Sequence, residues 1–373
     1  MELFTLTIPT LLGTESIVSN EVVKLGYDVK SISDGKVNFI GDFEAVALAN
    51  INLRSAERVM IHLGDFRAES FEELFVGIGN IPWERFIGKD DAFPVNGYSL
   101  KSKLHSVPDC QSIIKKSIVK RLSSIYSLSY FEEFGAKFPV RFSIMKDIVS
   151  VYIDTSGDSL YKRGYRENTV LAPMRETLAY SMVDMSFWRG DRPLCDPFCG
   201  SGTIPIEAAL YSIGKAPGLN RKFVAESWTN IIDKNIWNDA REEAKENICD
   251  KRDAVIFASD IDEKAIRIAK KNAENAGVRH LIKFRCEDCK NIYPFKDKGV
   301  IICNPPYGER LLDVKKCQEL YKIMGKKFSE FSQAKKFILT SYEDFEKYYG
   351  KKADKKRKVY NGMLKCNIYQ YFK

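Results

Sequence analysis

The chain has 373 residues, 45% hydrophobic and 29% charged, with a formal net charge of +8. That length exceeds one ordinary core and implies two or three domains, and the composition is that of a globular protein rather than a disordered one. No apolar run approaches the roughly 18 residues of a membrane span. The opening Met1-Glu-Leu-Phe-Thr-Leu-Thr-Ile8 lacks the basic start of a secretory leader, so a cytoplasmic protein without membrane attachment is expected.

The charge is unevenly divided. Residues 1–160 carry 17 Lys and Arg against 21 Asp and Glu, a balance of −4, which leaves +12 for residues 161–373. Part of the excess is Lys351-Lys-Ala-Asp-Lys-Lys-Arg-Lys358, which reads equally as a solvated loop or as a run that meets a polyanion. Nine cysteines, mostly in apolar surroundings, are expected as reduced thiols. Cys286-Glu-Asp-Cys289 has no second pair to complete a zinc site, and no metal is expected.

In chain order, Phe4–Pro9 reads as a strand, Gly13–Leu25 has helical spacing and Lys36–Ile40 reads as a strand, so residues 1–60 form a small α+β unit. A second unit, residues 61–158, holds a helix at Phe71–Ile78, a strand at Phe93–Ser99, a helix at Pro108–Tyr126 and strands at Phe138–Ile144 and Ile148–Asp154. Lys115, Lys116, Lys120 and Arg121 share the long helix as a basic face, suited to phosphates or simply to water. Turn formers through Thr155-Ser-Gly-Asp-Ser159 mark a boundary. Beyond it, over residues 159–373, helices at Thr177–Phe187, Ile204–Tyr211 and Glu263–Ala276 alternate with strands at Pro193–Asp196, Val255–Asp260, Ile282–Arg285, Gly299–Asn304, Lys336–Thr340 and Lys365–Tyr371. Such alternation calls for a doubly wound, largely parallel α/β sheet.

Four motifs at strand ends carry the chemistry. Leu194-Cys-Asp-Pro-Phe-Cys-Gly-Ser-Gly-Thr203 is a strand running through a Gly-rich turn into a helix, where Gly200 and Gly202 let the backbone approach a ligand and Asp196 can accept from an ammonium group. It is neither GxxxxGK[ST] nor GxGxxG, which disfavours a phosphate site. In Ala258-Ser-Asp-Ile-Asp262, Asp260 can accept from both hydroxyls of a ribose. Asp288, between Cys286 and Cys289, falls where an adenine amine would sit.

The fourth motif is Ile301-Ile-Cys-Asn-Pro-Pro-Tyr307. Prolines keep carbonyls out of ladder pairing, so the Asn304 side-chain oxygen and the Pro305 carbonyl can both face one amino group. A base amine is a poor nucleophile because its lone pair is delocalised into the ring. Two acceptors on its hydrogens draw that lone pair out of conjugation and aim it at an activated methyl, while Tyr307 stacks on the base.

In this order and spacing the motifs resemble class I S-adenosylmethionine methyltransferases of the amino-group type, whose hallmark is (N/D)PP(Y/F/W). Lys162-Arg-Gly-Tyr-Arg166, Ala172-Pro-Met-Arg-Glu-Thr-Leu178, Ala216-Pro-Gly-Leu-Asn-Arg221, Asn361-Gly-Met-Leu-Lys-Cys366 and the stretch Pro94 to Gln111 narrow the resemblance. They are similar to the THUMP-containing rRNA guanine-N2 methyltransferases, meaning the N-terminal half of RlmL and its stand-alone relatives.

The resemblance implies a Rossmann-like seven-stranded S-adenosylmethionine methyltransferase domain (159–373), preceded by a ferredoxin-like unit (1–60) and a THUMP RNA-binding domain (61–158). It also implies donor contacts from Asp196, Pro197, Phe198, Gly200, Gly202, Thr203, Asp260, Ile261, Asp288 and Cys289. Asn304, Pro305, Pro306 and Tyr307 would hold a flipped-out base of structured RNA, 23S rRNA above all. The segment Ala172–Thr177 is expected to close over the donor carboxylate, and Trp228 with the Ala216–Arg221 loop to line the entrance unless the indole is packed. With no second methyltransferase module after Lys373, guanine-N2 activity alone is expected. The motif does not by itself separate guanine N2 from adenine N6 on RNA or DNA. A noncatalytic RNA-binding or ribosome-assembly protein is disfavoured, because at least one of the donor-binding residues should then be missing.

Overall fold

The computed structural model describes residues 2–166, 174–249, 254–295, 298–308 and 313–372. Two seven-stranded sheets organise the chain. The first is built from β1 (Phe4–Pro9), α1 (Glu15–Lys24), β2 (Val29–Ser33), β3 (Lys36–Gly41), α2 (Phe43–Asn52), β4 (Met60–Arg67), α3 (Phe71–Gly79), β5 (Val95–Leu100), α4 (Val107–Tyr126), β6 (Val140–Met145) and β7 (Ile148–Asp154). Its strand order is β2-β3-β1-β4-β7-β6-β5. Because β4 pairs antiparallel with both β1 and β7, one sheet runs without a break from the first α+β unit into the second.

The second half contains α5 (Glu176–Met185), β8 (Leu194–Asp196), α6 (Thr203–Ser212), α7 (Lys234–Glu246), β9 (Ile256–Asp260), α8 (Glu263–Asn275), β10 (Ile282–Cys286), β11 (Val300–Cys303), α9 (Val314–Ser329), β12 (Lys335–Thr340), α10 (Phe345–Tyr349), β13 (Lys355–Asn361) and β14 (Leu364–Tyr371). The order is β10-β9-β8-β11-β12-β14-β13. Strands β8 to β12 are parallel, and β14 lies antiparallel between β12 and β13. The apolar run Val-Ile-Ile-Cys of β11 is buried throughout, as a strand covered on both faces requires. The sheet starts at β8 and winds outward in both directions, so the carboxyl ends of β8 and its neighbours open the crevice where such folds bind ligands.

The two halves interlock. Residues between α6 and β9 leave the second sheet and pack on the first half, with α7 against α2. Gly218 donates its N–H to the Ile51 carbonyl at 2.8 Å, and a Cβ at Gly218 would stand 2.6 Å from the Asn50 carbonyl oxygen. Trp228 is fully buried, stacks on Phe138 with ring centroids 4.5 Å apart and donates to the Lys137 carbonyl at 2.7 Å. The Ala216–Arg221 loop and Trp228 therefore join the halves and do not line the entrance, because a flat indole gains more from a dry ring face than from water.

The lysine-rich run near the C-terminus also differs from a loop: Lys355–Lys358 belong to β13, the outer strand of the sheet. Lysines suit such an edge because their charge opposes pairing with another chain. Among the described residues no helix is long and apolar enough to cross a membrane.

Candidate active site

A cavity of about 990 Å³ opens at the carboxyl ends of β8, β9 and β11. Its lining brings together Asp196, Pro197, Phe198, Gly200, Thr203, Asp260, Ile261, Asp288 and Cys289 with Asn304, Pro305, Pro306 and Tyr307. Gly202 lies just behind this surface. It caps α6 with φ of 86°, and a Cβ there would sit 3.1 Å from the Ala269 Cβ, so the turn admits little else.

One wall is made of carboxylates. Asp196 is buried at the end of β8 and accepts the Phe198 N–H at 3.1 Å. Burial, with Asp260 close by, raises its pKa well above the ordinary carboxylate range. Asp260, ending β9, accepts the Gly200 N–H at 2.9 Å and the Asp262 N–H at 3.0 Å, which ties the Gly-rich turn to the neighbouring strand. Burial works upward on Asp288, yet the Lys290 backbone N–H at 3.0 Å and its ammonium at 3.2 Å hold the carboxyl below its usual value.

Behind that wall lies Arg166, from the Lys162-Arg-Gly-Tyr-Arg166 motif. Its guanidinium reaches the Thr203 hydroxyl at 2.9 Å, the Met174 carbonyl at 3.1 Å and Glu176 at 3.0 Å. Burial raises Glu176 to about 7, against the pull of Arg166. Of the segment expected to close over the donor, Ala172 and Pro173 lie outside the described residues, whereas Met174 and Arg175 line the cavity. Arg175 is held at 2.8 Å by Glu57 from the first half, and Thr177 donates to the same carboxylate at 2.7 Å.

The facing wall is neutral. The Tyr307 hydroxyl donates to the Asn304 Oδ1 and also meets Asn361 and Cys366 of the β13–β14 hairpin. Burial pushes that hydroxyl well above its ordinary range, so it remains a protonated donor. The Pro306 carbonyl accepts the Tyr321 hydroxyl at 2.8 Å and the Cys317 thiol at 3.5 Å. The Pro305 carbonyl accepts no hydrogen bond among the described residues. Sequence reasoning gave no site role to Tyr321 or to the hairpin tip, residues 361–364, whose motif served only the resemblance and which closes one side of the cavity. Asn361-Gly362 between two apolar-containing runs was the available signal.

A model of the RMKL-like methyltransferase domain matches residues 163–370, one of the RlmL ferredoxin-like domain matches 5–60 and one of the THUMP domain matches 68–154. The chain belongs to the RMKL-like methyltransferase family. The Bacillus subtilis (strain 168) protein named "Putative RNA methyltransferase YpsC" is 46% identical over 100% of this chain and 97% of its own length. The ribosomal RNA large subunit methyltransferase K/L of Shewanella baltica (strain OS195) is 34% identical over 96% of this chain but 52% of its own, so the chain spans about half of that relative. The crystal structure of SMU.472 complexed with SAH superimposes with a TM-score of 0.94 at 41% identity, covering 100% of this chain and 98% of that one.

This RMKL-like chain is thus an S-adenosylmethionine-dependent methyltransferase of the RlmK/L type, and its cavity suits that donor. Among the described residues Asp196 is a buried carboxylate with one backbone partner and no cation, so an ammonium group would fit there. Asp260 and Asp288 add acceptors for hydroxyls and an amine, matching the hydrogen-bond donors of an adenosyl-methionine skeleton.

The basic face of α4 is partly consumed within the protein. Lys115 pairs with Glu133 and lies 3.4 Å from the Phe93 ring centroid, and burial lowers its pKa. Arg121 grips Glu84 at 2.6 and 2.7 Å and the Gly79 carbonyl at 2.9 Å. Lys116 and Lys120 are exposed.

Proposed function

We propose that this enzyme methylates the exocyclic N2 of a guanine in 23S rRNA, with the base flipped out of its stack into the neutral side of the cavity. The observation that carries the reading is the pair of acceptors on that side: Asn304 and the Pro305 carbonyl, which accepts no hydrogen bond among the described residues, share the cavity with the carboxylates of Asp196, Asp260, Asp262 and Asp288. Tyr321 fixes the neighbouring Pro306 carbonyl, which holds the Pro-Pro turn in place. The Tyr307 hydroxyl occupies one lone pair of Asn304 Oδ1, leaving the other for an N–H of the base.

In this reading Asp196 binds an ammonium, Asp260 a ribose and Asp288 an adenine amine. When bound, S-adenosylmethionine supplies a methyl group made electrophilic by its sulfonium. Asn304 and Pro305 take both hydrogens of the base amine, so its lone pair leaves conjugation and points at that methyl. Tyr307, anchored by its hydroxyl, presents a fixed ring face to the base. No strong general base is needed before transfer, because the amine sheds its proton readily once it carries a fourth substituent.

The THUMP match and the rRNA methyltransferases among the relatives support RNA as the acceptor. Guanine rests on the resemblance of the whole chain to guanine-N2 enzymes, since adenine N6 would satisfy the same two acceptors. The test is incubation with labelled donor and unmodified 23S rRNA, followed by digestion to nucleosides. Labelled N2-methylguanosine is expected; labelled N6-methyladenosine would overturn the assignment.

A further inference from the structure

The hairpin β13–β14 ends at the cavity rim in a two-residue turn. Asn361 pairs with Leu364, which leaves Gly362 and Met363 as the loop. Gly362 has φ of 66° at the first central position, the left-handed start that a tight hairpin turn of this kind demands. Met363 follows at the apex. It is 99% exposed, the most exposed large apolar side chain among the described residues, and it also lines the cavity.

A single apolar side chain in water needs no explanation by itself, but its mounting here is unusual. The hairpin is zipped by seven residue pairs, and β14 is held by β12 on its other side. Asn361, two residues before Met363, meets the Tyr307 hydroxyl, which in turn binds Asn304. The tip is thereby pinned to the acceptor wall itself. Exposed Lys358 and Lys365 stand on the two strands of the same hairpin, where phosphates on either side of a nucleotide could meet them.

We propose that Met363 is the wedge that holds the target nucleotide out of its helix. Resting on the RNA reading above, the proposal assigns Met363 to the gap left between the neighbouring bases when the target enters the cavity. A flexible thioether fills an irregular gap between two ring faces well, and apolar wedges of this size are a general means of unstacking a base step. The step is non-covalent: the target gives up its stacking and pairing, and Met363 replaces part of that stacking.

The test first maps the methylated position on in vitro transcribed 23S rRNA by mass spectrometry of nuclease fragments. Two short RNA duplexes are then made around it, one with the natural partner opposite the target and one with an abasic residue there. Met363→Ala is expected to lower kcat/KM at least tenfold on the paired duplex and less than twofold on the abasic one, where the base leaves its stack more easily. Met363→Leu should restore most of the activity on the paired duplex. Equal loss on both duplexes would make Met363 a pocket-shaping residue, and no loss on either would make it a bystander; each result overturns the wedge. A wild-type protein that methylates no RNA would instead sink the reading beneath it.

Discussion

The two walls of the cavity differ in charge. One carries Asp196, Asp260, Asp262 and Asp288; the other, Asn304 to Tyr307, has no charged side chain. Carboxylates bind a cation and hydroxyls strongly, but they would stabilise a base amine through charge whether or not it was poised to react. A neutral amide and carbonyl select instead by direction, so misalignment forfeits both bonds. The contrast teaches that affinity should reside in the carboxylate wall and rate in the amide wall.

The largest expected effect follows from breaking the amide wall. Asn304→Ala should cut single-turnover methylation of 23S rRNA by about a hundredfold or more, the scale found when one aligned polar group is removed from a reacting centre. Donor affinity by calorimetry should change less than about twofold. Matching losses in both would mean that Asn304 shapes the donor side instead.

The converse substitution, Asp196→Asn, should weaken donor binding roughly tenfold to a hundredfold, the worth of about 1.5–3 kcal/mol for a bond to a charged group. The same change should raise the thermal midpoint of the ligand-free protein, since it removes a buried carboxylate that meets no cation among the described residues. A lower midpoint would contradict the solvation argument.

A pH series sharpens the same point. Asp196 and Glu176 both have raised pKa values in the folded chain, Glu176 near 7. At these two sites the native state holds more protons than the unfolded one, so their contribution to ligand-free stability is fully present in acid and is lost as pH climbs from the ordinary carboxylate range through the raised values. Donor affinity should move the other way, tightening as Asp196 ionises. Thermal melts and calorimetry across the range from about 5 to 8 check both slopes; parallel slopes would exclude Asp196 as the group binding the cation.

What the sequence revealed follows a physical divide. Asp196, Asp260 and Asn304 were legible because each closes a short apolar strand against a turn, and strand ends in a doubly wound sheet share one edge. Interactions between distant segments were not. Nothing local says that Trp228 stacks on Phe138, that Tyr321 holds the Pro306 carbonyl, or that Asn361 reaches Tyr307. Strand β13 was hidden by its lysines, whose charge masked the backbone pairing that the edge still makes. On α4 the spacing showed a basic face but not that Glu133 and Glu84 neutralise half of it.

That last difference yields the smallest predicted effect. Lys116→Ala and Lys120→Ala should each weaken RNA binding a few-fold and flatten the dependence of log Kd on log salt by about 0.7–0.9 for each phosphate no longer neutralised. Lys115→Ala and Arg121→Ala should leave the slope unchanged and lower stability by about 1 kcal/mol or less. Filter binding at several salt concentrations separates the two pairs.

The most direct measurement is a crystal structure with S-adenosylhomocysteine and guanosine monophosphate bound together. The account predicts the guanine N2 at about 3 Å from both the Asn304 Oδ1 and the Pro305 carbonyl oxygen, with the donor's ammonium on Asp196. A guanine amine facing the carboxylates, or an Asn304 side chain turned away from the base, would contradict it.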